Sequence, residues 1–127
     1  MIVCSISPYI YGTRKTGTGL DSHHMPAKTS YPTKLSNKES NNAPAILMDH
    51  SDHQATLSHH NGGAGAGARA KAYTSVQKML MKNNLTIVAM AMDIADVKRI
   101  ACSVGNCAKY DVAITQMILW SICAGKI

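Results

Sequence analysis

The chain has 127 residues, 46% apolar, with no Phe and 5% aromatics, so one modest core must be built from Ile, Val, Leu, Ala and eight Met. The net charge of +6 is uneven: residues 1–60 carry five Lys/Arg against four Asp/Glu, residues 61–127 eight against three. The second half is therefore mildly basic, which suits a polyanion or simple solubility. No run reaches the ~18–20 apolar residues of a membrane span, and the four cysteines form neither a CxxC pair nor a dense framework, so buried reduced thiols are expected.

Residues 1–17 hold a β-prone stretch, IVCSISPYIYG, then a polar, glycine-punctuated turn, and read as an arm or edge strand. The opening MIVCSIS lacks the basic n-region of a signal peptide, so no export address is expected in it. LDSHHMP, residues 20–26, reads as a strand ending in paired histidines. The segment 28–44 has no apolar periodicity and is expected to be a loop, followed by APAILMD as a second short strand.

SDHQ at 51–54 is a capping-box pattern that predicts a helix from Asp52 to about Asn61, capped by Ser51. GGAGAG then reads as a hinge at 62–67, because glycine costs about 1 kcal/mol against alanine inside a helix. Three helices should follow. Tyr73, Val76 and Leu80 would line one face of the first, which ends at Asn83-Asn84. Ile87, Met90, Ile94, Val97 and Ala101 would line the second, ended by SVGN. Asp111 would cap the third, in which Ile114, Met117, Ile118 and Ile122 face inward. The expected architecture is α+β: a small ββα finger over 18–61 and a three-helix, mostly α half over 68–124.

All six histidines lie between residues 23 and 60, as His23/His24, His50/His53 and His59/His60. Imidazole is both a common metal ligand and a base that works near neutrality, so this clustering points to a site. Strand alternation would send His23 and His24 to opposite sides, one toward a metal and the other toward a proton. His53, in the first turn of the helix, could close on the same metal. His59 and His60 read more plainly as solvated loop histidines, although His60 lies seven residues after His53 and would share its helix face.

SHHMP, the strand APAILMD and then DHQAT resemble the HNH/endonuclease VII nucleases, the ββα-metal or His-Me finger superfamily. More narrowly they resemble the toxin domains of bacterial polymorphic toxins that carry an SHH signature, and the helical tail over AYTSVQKMLMKNN to KYDVAITQM is similar to theirs. The resemblance spans roughly residues 18–120. It implies His24 as general base, His23 and His53 as metal ligands, and Asp49 or His60 as weaker candidates for a further ligand. Thr56 and Ser58 would touch substrate or brace the site. One divalent ion (Mg, Mn, Ni or Zn), hydrolysis of nucleic acid (DNA before RNA) and an acidic immunity protein belong to the same implication, as does delivery into a target bacterium within a larger toxin. Lys71, Lys78, Lys98 and Arg99 would then hold phosphates without reading sequence, or simply form solvated helix faces. The polar loop at 28–44 and the Gly-Ala tract depart from the family pattern.

Overall fold

The computed structural model describes residues 19–59 and 65–127. The arm expected at 1–17, His60 and residues 62–64 of the Gly-Ala tract lie outside the described residues. Strand β1 (Leu20–His24) pairs antiparallel with β2 (Ala45–Asp49), with His23 opposite Ile46 and His24 opposite Ala45. Helix α1 (Asn37–Asn41) interrupts the connection between them, and α2 (His50–Gln54) follows β2 directly. Three longer helices complete the fold: α3 (Ala66–Lys82), α4 (Thr86–Ser103) and α5 (Asp111–Cys123). The molecule is thus α+β and mostly helical, and no helix among the described residues is long and apolar enough to cross a membrane.

The capping boxes fall differently from the sequence reading. Segment 28–44 contains a 3₁₀ turn at Lys28–Ser30 as well as α1. A reciprocal box at Ser36 and Glu39 starts α1: the Ser36 hydroxyl accepts from Glu39 N–H, and the Glu39 carboxylate accepts from Ser36 N–H, both at 3.1 Å. SDHQ forms no box. Asp49 is the N-cap of α2, its side chain makes no capping bond, and the helix stops at Gln54 instead of continuing toward Asn61.

Helix α4 supplies the reason for that early stop. Leu57 N–H, which would otherwise extend α2, donates to Asp96 Oδ2 at 2.7 Å. Thr56 directs both its N–H and its hydroxyl to His53 O, and Arg99 donates to Ala55 O. Tertiary acceptors and donors have replaced the next helical turn.

The core joins Met25, Ile46 and Met48 of the hairpin region to Met90, Val97 and Ala101 of α4 and to Ile114 and Met117 of α5. Ile94 and Ile118 pack at its edge, while Ile87 and Ile122 of the expected seams are exposed at 62% and 56%. Helix α3 departs furthest from expectation. Val76 is exposed, and the buried face consists of Ala66, Ala70, Thr74 and Gln77.

That face is polar because it meets a buried network. Ser30 donates to Gln77 Oε1 at 2.5 Å, Gln77 Nε2 donates to Ala89 O and to Asp93 Oδ2, both at 2.9 Å, and Tyr73 donates to Asp93 Oδ1 at 2.8 Å. Burial pushes the Asp93 carboxyl up to about 7; the bonds from Gln77 and Tyr73 oppose the rise, and nearby Asp96 adds to it. In the unfolded chain the same group titrates near the ordinary ~3.9. The folded state therefore binds the extra proton, and this carboxyl's contribution to stability declines as pH rises from about 4 to about 7, by up to about 1.4 kcal/mol per pH unit. Asp93→Asn, which mimics the protonated group, is expected to remove that decline. Denaturant midpoints of both proteins between pH 4.5 and 7.5 test it, and a constant difference between them would refute it.

The cysteines also differ from expectation. Cys102 and Cys107 are bonded in an exposed disulfide across the turn after α4, where Gly105 takes a positive φ of 85°, and Cys123 is disulfide-bonded too.

Candidate metal and catalytic site

Period-two alternation on β1 places Asp21 and His23 on one sheet face and Ser22 and His24 on the other. The first face looks toward α2. Because α2 follows β2 without a loop, His50 and His53 are carried back over β1, and both Nδ1 atoms reach Asp21 Oδ2, at 2.7 and 2.9 Å. Burial raises the Asp21 carboxyl, but the bonds from His53 and His50 outweigh it and hold the group below its ordinary range. Ionised Asp21 can only accept, so His53 donates from Nδ1 and its lone pair lies on Nε2. A carboxylate that fixes the tautomer and orientation of an imidazole in this way is the usual support of a metal-ligating histidine.

The His23 ring lies 5.2 Å from the His53 ring, centroid to centroid, and the His59 ring stands 4.9 Å from His53 on an edge-on approach. His23 is 2% exposed, and its Nε2 is buried with no hydrogen-bond partner. Burial, with smaller contributions from His53, His24 and His59, lowers its pKa to about 3, so it is neutral throughout the physiological range. An orphaned buried nitrogen costs about 1–3 kcal/mol.

Among the described residues no group of three His, Cys, Asp or Glu side chains is placed to hold a metal ion. The spacing of the His23 and His53 rings is compatible with a shared ion. With a ring nitrogen about 2.1 Å from the ion, two tetrahedrally placed imidazoles have centroids about 5.3 Å apart. The His23–His53 separation of 5.2 Å is close to this figure, whereas His59 makes a shorter, edge-on ring contact with His53.

On the opposite face His24 is 6% exposed, and Nε2 donates to Ser40 O of α1 at 3.0 Å. A carbonyl can only accept, so Nδ1 carries the lone pair. Burial lowers the His24 pKa to about 4 against the opposing effect of the Ser40 bond, with Lys28 and His53 lowering it further.

The remaining candidates have other attachments. Asp49 is paired with Lys109 at 2.6 Å, away from the histidine cluster. Lys109 also reaches Asp52 at 2.8 Å, and the Tyr110 hydroxyl donates to Asp52 while accepting from Asp49 N–H. These bonds clamp the β2–α2 junction to the start of α5. Thr56 is buried against His53 O and braces the site, whereas Ser58 is half-buried beyond it. Lys98 is held by Asp111 and Cys107 O, and Arg99 by Asp96, so neighbouring acceptors already occupy both cations. Lys71 lies on α3 and shares a pocket lining with Thr29 and Lys78.

Asp21 escaped the sequence reading, and His59, which reads in sequence as a solvated loop histidine, packs against His53 instead. Asp21 could have been found from its spacing, two residues before His23 on one strand. His59 could not, because only the early end of α2 bends it back toward His53. No family model matches the chain, and no curated protein or solved structure matches it either.

Proposed function

We propose that the chain is a metal-dependent nuclease of the ββα-metal kind, of the toxin class that acts on nucleic acid, DNA before RNA. The observation that carries this reading is the buried, unpartnered His23 Nε2 beside His53, whose Nδ1 is held by Asp21. His23 and His53 would hold the ion, with His59 the candidate for a third ligand and His60 an alternative from the sequence. A bound divalent ion supplies Lewis acidity to a phosphodiester oxygen and to the leaving oxygen.

The chain's own part is proton transfer and positioning. His24, neutral at physiological pH and tethered through Nε2–H to Ser40, accepts a proton at Nδ1 from the attacking water. The water oxygen then bonds to phosphorus, the bond to the leaving 3′ oxygen breaks, and that oxygen takes a proton from solvent. Asp21 keeps His53 in one tautomer, and Thr56 fixes the backbone on which His53 sits. An acidic immunity protein is the natural partner under this reading.

A second reading, a non-catalytic metal- or nucleic-acid-binding module, draws on the burial of His24 beneath α1. Digestion of supercoiled plasmid and of a structured RNA, in EDTA and then with Mg²⁺, Mn²⁺, Ni²⁺ or Zn²⁺, separates the two. Metal-restored cleavage by the wild type is expected. Binding without turnover under every metal would reject the nuclease.

A further inference from the structure

The basic residues nearest the His24 face do not surround the histidine cluster. They line a cleft between the 28–37 segment and α3. One part, about 480 Å³, is walled by Lys28, Lys34, Lys78, Tyr31, Asn37 and Ser40 among others. A second part, about 390 Å³, adjoins it through the shared Thr29 and Lys78 and adds Lys71, Thr74 and Ser75. Among the described residues no carboxylate lines either part, whereas Lys98, Lys109 and Arg99 elsewhere are all paired with Asp side chains. Lys34, Lys71 and Lys78 along this open cleft make a surface complementary to a chain of phosphates.

Two further features narrow the ligand. Tyr31 is half-buried in the cleft wall with Pro32 and Leu35 beside it, an aromatic and apolar floor amid the lysines. Basic tracks interleaved with an aromatic ring suit unpaired bases, which can stack on the ring while the backbone follows the charges. Ser40, whose carbonyl accepts from His24, also lines the cleft. A strand lying in it would therefore pass the wall that carries the base.

We propose that this cleft binds single-stranded nucleic acid, with phosphates on Lys34, Lys71 and Lys78 and a base against Tyr31. As the substrate track of a nuclease it rests on the preceding section. As a binding site it does not.

The test is fluorescence anisotropy with labelled oligo-dT and oligo-U of 20 nucleotides, in EDTA, across a salt series, on the full chain. Wild type is expected to bind both single strands more tightly than a hairpin duplex. Lys34→Ala/Lys78→Ala should weaken binding at least tenfold at low salt and make the log–log salt slope shallower by about 1.4, since each lost phosphate contact removes about 0.7. Tyr31→Leu, which keeps apolar bulk, should weaken binding roughly tenfold with the slope unchanged. Lys82→Ala/Lys126→Ala removes the same charge away from the cleft and should leave affinity within twofold. Equal losses in the two double variants would overturn the proposal, as would tighter binding of duplex, or polyglutamate competing as well per charge as the oligonucleotide. Because EDTA suppresses turnover, binding that passes these tests in a protein that never cleaves defeats the nuclease reading alone. Cleavage that survives Lys34→Ala/Lys78→Ala undiminished defeats the cleft as substrate track.

Discussion

Replacing His24 with Ala is expected to lower plasmid cleavage by about 10²–10⁴-fold, the range that a positioned general base contributes. Ser40 O would keep a partner, because it also accepts from Ala43 N–H at 3.3 Å, so α1 is not left with an orphaned carbonyl. The substitution still empties buried volume, which costs stability in its own right. His24→Gln answers that objection, since its amide can donate to Ser40 O while being unable to act as a base. Cleavage by the glutamine variant within tenfold of wild type, with its melting temperature preserved, would remove His24 from the catalytic role. Loss of cleavage in both variants, with folding intact in the second, is the expected result.

The second large effect concerns Asp21. Asp21→Asn keeps the volume but can no longer offer a charged acceptor to both His53 and His50, and the His53 tautomer is released. Support of this kind is worth about 10–100-fold in metal affinity, so titration calorimetry with Zn²⁺ or Ni²⁺ should show that loss. The wild-type melting temperature should rise with metal, because an ion that binds only the folded chain stabilises it by linkage. His23→Ala should abolish the rise. If saturating metal leaves the wild-type melting temperature where it was, the histidines hold no ion. If Asp21→Asn binds as tightly as wild type, Asp21 serves only the fold.

Local patterns were readable in the chain wherever neighbours in sequence fix the outcome. The strand pair, the three long helices with their Asn83-Asn84 and SVGN breaks, and the opposite facing of His23 and His24 follow from periods of two and 3.6 and from turn residues. Patterns failed where distant groups compete for the backbone. SDHQ and SNKE carry the same capping signature, yet only SNKE uses it. Ser51 falls two residues past the N-cap Asp49, because the chain enters α2 straight from β2. Asp96 and Arg99, some forty residues away, then take the amide and the carbonyl that would have continued that helix. On α3 an apolar spacing through Val76 predicted the wrong face, because the buried partners are Ser30 and Asp93, and burying Gln77 satisfies both.

The sequence by itself determined which residues are available for chemistry: six imidazoles in one short stretch, a strand that divides two of them between its faces, and a basic second half. Only the tertiary structure decided which of them meet. The end of α2 brought His59 against His53, the hairpin register set Asp21 beneath both α2 histidines, and local ion pairs withdrew Asp49, Lys98 and Arg99. Alternation and helical period are properties of the backbone and travel with the sequence. Hydrogen-bond competition and burial depend on groups far along the chain, which come within reach of one another only when it is folded.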